Sequence, residues 1–181
     1  MMSIGLKRGT VRLEKHQRSW EEDAQKTIAD LFEILEGTDV EIQHVGSTAI
    51  KSIKAKPIID LLIGVDDYET LLDRNEILEE KGFILRQDER PNQLLYVKGD
   101  LDNDFITHHI HVLRKDSKEY SDYLNLRDYL NANKDKASVY EKMKQELAKR
   151  YPDDRNAYTE GKSDLIGQLL IEAEKWRKKI K

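Results

Sequence analysis

The chain of 181 residues contains no cysteine. That excludes a disulfide framework and a thiolate zinc site, and it suits a reducing compartment. No apolar run approaches the roughly 18 residues of a membrane span. The N-terminus, MMSIGLKRGTVRLEKHQ, has no apolar stretch of signal-peptide length. A soluble, cytoplasmic protein with no membrane partner is the expectation. Basic excess is also missing: the net charge is −4 with acids and bases interspersed, so nucleic acid is not an expected partner. Repeats, low-complexity tracts and linker-like stretches are absent. The length suits one domain over residues 1–181.

What the chain does have is concentrated in HVGSTAIKSIKAKPIIDLLIGV, from His44 to Val65. The alternation of Val40, Ile42 and Val45 predicts a short strand at 40–45 that runs into Gly46-Ser47-Thr48. Residues 57–65 predict a fully buried strand interrupted by one carboxylate, Asp60. An acid inside an aliphatic run is costly unless something pairs with it or binds it. A Gly-Ser turn offers backbone N–H groups and a hydroxyl to a phosphate. A phosphate cradle facing a metal-binding acid is the layout of a nucleotidyltransferase palm. The plainer alternatives are an ordinary N-cap serine and an Asp60 paired with Lys56 or an arginine.

Around this stretch the periodicity predicts a weak lead-in strand at 10–14. A capping box at Ser19 and Glu22 predicts a helix through Ile28, Leu31, Phe32 and Leu35, closed by Gly37. Asp66 or Asp67 should cap a helix with Leu71, Leu72 and Leu78 inward. Strands are expected at 83–87, 93–98 and 105–113, the last two as a hairpin around Gly99 to Asp102. Helices follow at about 117–132, 135–150 and 154–179, with Asp153-Asp154 marking a helix start after Pro152. This order predicts an α+β fold: a palm-like mixed sheet core over 1–115 with flanking helices, and a helical layer over 116–181.

Thr107-His108-His109-Ile110-His111-Val112 is the second cluster with chemistry in it. On a strand, His109 and His111 share a face with Thr107, while His108 joins the apolar face as a hydrogen-bonded core histidine. Two imidazoles at i and i+2 can chelate a metal or flank a phosphate; surface or hydrogen-bonded histidines are the bland alternative. If this strand lies beside that of Asp60, the three side chains converge. Lys56, Arg127 and Lys162 could meet an anion from three directions, and a structural ion pair with Asp128 is the competing role for Arg127.

Several stretches resemble the GrpB-like family: HVGST (44–48), KPIID (56–60), THHIHV (107–112), LRDYL (126–130), YPDDR (151–155) and YTEGKSD (158–164). They cover nearly the whole chain in order. The family is similar in fold to the nucleotidyltransferases, and related domains occur fused to dephospho-coenzyme A kinase. The resemblance implies binding of a nucleoside triphosphate with magnesium or manganese, and nucleotidyl transfer to a small acceptor. Asp60, His109 and His111 would be catalytic and metal-ligating. Gly46, Ser47, Thr48, Lys56, Arg127 and Lys162 would bind substrate. Nucleotidyltransferases carry two acids one residue apart; here the second position is Leu62, which should face the pocket beside Asp60. That departure keeps two alternatives open: a non-catalytic nucleotide- or coenzyme-binding module linked to coenzyme A metabolism, and a metal-dependent phosphohydrolase.

Overall fold

The strand Ile59–Val65 lies inside a mixed sheet, and its alternation decides what each side of the sheet is for. The computed structural model describes residues 4–86 and 92–180. In chain order the elements are β1 (Leu6–Lys7), α1 (Arg18–Ile34), β2 (Glu41–Val45), a 3₁₀ turn (Ser47–Ala49), β3 (Ile59–Val65), α2 (Glu69–Leu72) and α3 (Asn75–Glu80). Then come β4 (Ile84–Arg86), β5 (Leu94–Asp100), β6 (Phe105–Arg114), α4 (Lys118–Ala132), α5 (Lys134–Arg150), α6 (Arg155–Glu160) and α7 (Ser163–Ile180). The sheet order is β2-β3-β6-β5-β4, with β1 pairing against β6. β3 and β6 run parallel, and the other neighbouring pairs are antiparallel. The fold is α+β, a mixed sheet with flanking helices.

Ile59, Leu61, Ile63 and Val65 enter one core with Trp20, Ala24, Ile28 and Leu31 of α1. His108 faces the same way and is buried against Thr27 (3.1 Å) and Thr107 (2.9 Å), as a core histidine should be. The opposite face carries Asp60, Leu62 and Gly64. Leu62 is 0 % exposed and packs with Val45, Leu113 and Tyr120 under α4. Gly64 leaves the space that the Tyr120 ring fills, since a Cβ there would lie 2.7 Å from it. Beyond, α4, α5 and α7 form their own core through Leu130, Tyr140, Leu169 and Ala173.

Several expectations need correction. The lead-in strand is Leu6–Lys7; residues 10–14 give only a bridge from Glu14 to Ala55, because the chain there runs to Pro152 instead (Val11 N to Pro152 O, 2.7 Å). Helix α1 starts after Gln17, with no side-chain cap, so Ser19 lies inside its first turn. Phe32 is 47 % exposed, outside the apolar stripe. The helix after Asp67 is two short ones, with Leu71 and Leu78 inward but Leu72 outward. The strand expected at 83–87 is Ile84–Arg86, and Gln87 lies outside the described residues. The helix expected at 154–179 breaks between α6 and α7, and Lys162 sits at the break. Asp154 caps α6, accepting from Ala157 N at 3.0 Å, which fits the helix-start reading. Among the described residues no helix is long and apolar enough to cross a membrane.

Leu62 shares the Asp60 face but is core, covered by Tyr120 rather than open to a pocket. Leu62→Ala should therefore cost about 2–5 kcal/mol in urea unfolding. Leu62→Asp should cost more, because a carboxylate would be buried without a partner. An aspartate variant as stable as the native chain would show that this side chain reaches solvent.

Candidate functional site

The parallel register of β3 and β6 sets Asp60 opposite His109 and Leu62 opposite His111. All three polar groups emerge on one face. His109 Nδ1 lies 3.3 Å and His111 Nε2 3.4 Å from the same oxygen, Asp60 Oδ1. An ionised carboxylate only accepts, so both imidazoles donate. His111 Nδ1 in turn faces Gln93 Nε2 and the Tyr123 hydroxyl, each at 3.3 Å. Burial alone would push the Asp60 carboxyl up. The His109 and His111 bonds outweigh it and hold the group well below the usual carboxylate range. Asp60 is thus an ionised acid whose partners are imidazoles, not Lys56 or an arginine.

Gly46 makes the next contact. Its φ of 71° and ψ of −169° belong to a region essentially reserved for glycine. A Cβ there would sit 2.5 Å from Asp60 Oδ2. The missing side chain lets the 46–49 turn close directly over the carboxylate. Ser47 lines the cavity above, together with Tyr140 of α5. Thr48 does not line it: it is 1 % exposed and bonds His44 Nε2 at 2.9 Å. Burial pushes the His44 imidazole down to about 4, so this pair is a neutral brace behind the turn. The Thr48 side chain thus braces the turn and does not enter the cavity.

The cavity over Asp60 has a volume of about 510 Å³. Lys56, Arg155 and Lys162 line it together with Tyr140 and Tyr158. Burial, and then the nearby Lys162 and Arg155 charges, push the Lys56 ammonium down to about 7, with Asp60 opposing. Burial lowers Lys162 as well, again opposed by Asp60. Behind them Lys144 is 1 % exposed and donates to Lys54 O at 2.5 Å, while Glu141 accepts from Lys54 N at 2.8 Å. Helix α5 thereby grips the peptide that leads to Lys56. Arg127 reaches the cavity wall with part of its fork engaged: Nη1 bonds Gln43 Oε1 and His44 O at 3.0 Å, and Nε bonds Asp128 at 2.8 Å. These bonds tie α4 to β2 beside the cavity. Arg155, Tyr140 and Tyr158 were not foreseen as site residues. Arg155 and Tyr158 lie inside the YPDDR and YTEGKSD stretches, which was the available signal; Tyr140 had none beyond helical period.

The donor set can be tested against metals. Leu62 contributes no oxygen and is buried, and two nitrogens are committed to Asp60 Oδ1. Among the described residues no group of three or more His, Cys, Asp or Glu side chains is placed to hold a metal ion. Two hard cations need several fixed oxygens, so the residues do not fit a resident two-metal centre. A magnesium ion carried by a nucleotide's own phosphates needs only one or two protein carboxylates, and Asp60 fits that lesser demand.

Lys56 gives this site a pH signature. An unfolded lysine keeps its proton to near 10.5, whereas folded Lys56 loses it near 7, as does Lys144. Between these values the unfolded chain binds more protons, so stability should rise with pH; the burden is fully present below about pH 7. Lys56→Met should stabilise the protein at pH 7 and flatten that rise, read as urea midpoints from pH 6 to 10. An unchanged slope would place Lys56 in solvent.

The crystal structure of the conserved protein GrpB from Enterococcus faecalis superposes with a TM-score of 0.84 at 27 % identity, covering 92 % of this chain and 99 % of that one. Cid1 poly(U) polymerase with magnesium and 3′-dATP bound gives a TM-score of 0.53 at 17 % identity, over 82 % of this chain and 49 % of that one. That likeness shows the fold alone: nucleotidyltransferase-like. The glutamate-rich protein GrpB of Alkalihalophilus pseudofirmus is 37 % identical over 175 residues, 93 % of this chain and 99 % of that protein. The sequence pattern of the GrpB protein family matches residues 10–172, and the chain belongs to that family.

Proposed function

We propose that this protein binds a nucleoside triphosphate in the cavity over Asp60 and transfers its nucleotidyl group to a small acceptor. One observation carries the reading: on a nucleotidyltransferase-like fold, the Gly46-Ser47 turn, the ionised Asp60 and the cations Lys56, Lys162 and Arg155 line a single cavity. The phosphate chain would lie against the cations and the Ser47 hydroxyl. Asp60 would lend one oxygen to a magnesium or manganese ion arriving with the nucleotide, which supplies charge neutralisation when bound. The Asp60 bond to His109 Nδ1 selects the tautomer whose Nε2 can accept a proton. His109 would take the acceptor hydroxyl's proton as that oxygen attacks the α-phosphorus. The bond to the bridging oxygen then breaks, and pyrophosphate leaves among the cations.

The second reading is binding of a nucleotide or coenzyme without transfer. Leu62 favours it, because the second palm acid is replaced by a fully buried core residue.

Calorimetry with magnesium and each nucleoside triphosphate tests binding, and pyrophosphate release with candidate acceptors tests transfer. Ser47→Ala should weaken nucleotide binding by about tenfold, the worth of one good hydrogen bond, with little change in melting temperature. Asp60→Asn and His109→Gln should abolish pyrophosphate release. Failure of the native protein to bind any triphosphate would refute the first reading and leave the second only its coenzyme form; binding without release selects the second. Manganese alone should bind weakly to the nucleotide-free protein, since the ion's remaining ligands come with the phosphates.

A further inference from the structure

Tyr158 of α6 is 1 % exposed, yet it lines the cavity. Two ammonium groups address its ring, Lys162 Nζ at 4.6 Å and Lys56 Nζ at 5.3 Å from the centroid. Arg155 opens the same helix and lines the same cavity, its charge fixed there by Nε and Nη2 donating to Thr10 O (3.4 and 3.2 Å) and Nη2 to Lys7 O (3.1 Å). A fourth cation, Lys144, stands behind over the Tyr140 ring at 4.8 Å. Asp60 is the carboxylate whose charge reaches both Lys56 and Lys162, while Glu141 offsets Lys144. Like charges crowded into a half-buried space repel one another and favour loss of a proton. An aromatic face opposes this, because its quadrupole attracts each ammonium without adding a negative charge that would compete with an anion.

We propose that Tyr158 is the positioning residue of a polyphosphate subsite: its ring holds Lys56 and Lys162 as a charged pair that takes neighbouring phosphates of one ligand. The ligand is then recognised through its phosphate chain and not through its base. A single phosphate cannot satisfy three converging cations, whereas a triphosphate carries the charge and the length. The wall supplied by Leu126, Ile166 and Leu170 can cover a base without reading its edge. This inference rests on the nucleotide reading above and adds to it what is recognised.

The test is calorimetry of the full chain with inorganic tripolyphosphate, inorganic phosphate and the four nucleoside triphosphates, at pH 6.5 and 8.5. Tripolyphosphate and all four nucleotides should bind within about fivefold of one another, and phosphate at least about a hundredfold more weakly. Tyr158→Phe, which keeps the ring, should bind as the native chain does. Tyr158→Leu should lose about tenfold at pH 6.5 and less at pH 8.5, where Lys56 has already shed its proton in the native chain. Lys162→Met, which leaves the ring in place, should weaken tripolyphosphate by a similar factor and covers the case in which Tyr158→Leu does not fold. Nucleotide binding without tripolyphosphate binding would overturn the inference while leaving the nucleotide reading intact. So would a tenfold loss in Tyr158→Phe, which would assign the effect to the hydroxyl, or native affinity in Lys162→Met. Binding of neither ligand would overturn both.

Discussion

The site depends on one half-buried acid remaining ionised. Asp60 interrupts an aliphatic strand, and water solvates it only in part. Its charge is held by His109 and His111 across the parallel β3–β6 register, each donating to Oδ1. That register is a backbone property. Shifting it by one residue would send Asp60, or both histidines, into the core against α1. The Gly46 turn then closes over Oδ2 at a separation no side chain could tolerate. Sheet pairing, turn conformation and carboxylate charge are therefore one linked constraint.

The cations obey the complementary constraint. Lys56, Lys162, Arg155 and Lys144 come from three segments; Asp60 lies among them, Glu141 offsets Lys144, and Glu119 and Asp122 line the same cavity. Natural chains bury lysines reluctantly unless paired. Here the cost appears as ammoniums pushed toward neutrality, Lys56 and Lys144 to about 7. The repulsion of Lys56 by Lys162 and Arg155 is what an anionic ligand seated among them would relieve.

Much of this was legible in the sequence, for reasons that differ by element. Strands β2, β3, β5 and β6 were readable because alternation and aliphatic runs have strong periods, and the Asp60–histidine convergence followed once two polar strands needed a common partner. Helix boundaries were less readable. Ser19 and Glu22 match a capping box, yet the helix begins two residues earlier, after Gln17, with Trp20 in its first turn at 1 % exposure. The α6–α7 break falls at Gly161-Lys162, where glycine, a poor helix residue that favours helix ends, was the signal passed over. Thr48 and Leu62 were misplaced for one reason: sequence gives the face of an element but not what covers it. Thr48 is turned to His44, and Leu62 is roofed by Tyr120. Tyr140 and Tyr158 could not be found by spacing, since their role arises only where three helices and a loop meet.

Leu62 also bears on the chemistry. In a two-metal palm the paired acids provide both the metal bonds and the negative charge that draws cations into the site. Leu62 withdraws one of them and is packed into the core so tightly that no rearrangement of the strand alone restores an acid there. What replaces it is a pair of imidazoles, which add proton-transfer capacity and donors but no negative charge. The balance between cations and acids therefore tips toward positive, and the affinity for phosphate would come from protein ammoniums more than from bridging metal. A nucleotidyltransferase-like fold of this kind would hold its nucleotide chiefly by charge and depend on an ion brought by the ligand. Fold likeness to a metal-loaded polymerase cannot reveal such a shift, because it resides in a few side chains that the backbone does not determine.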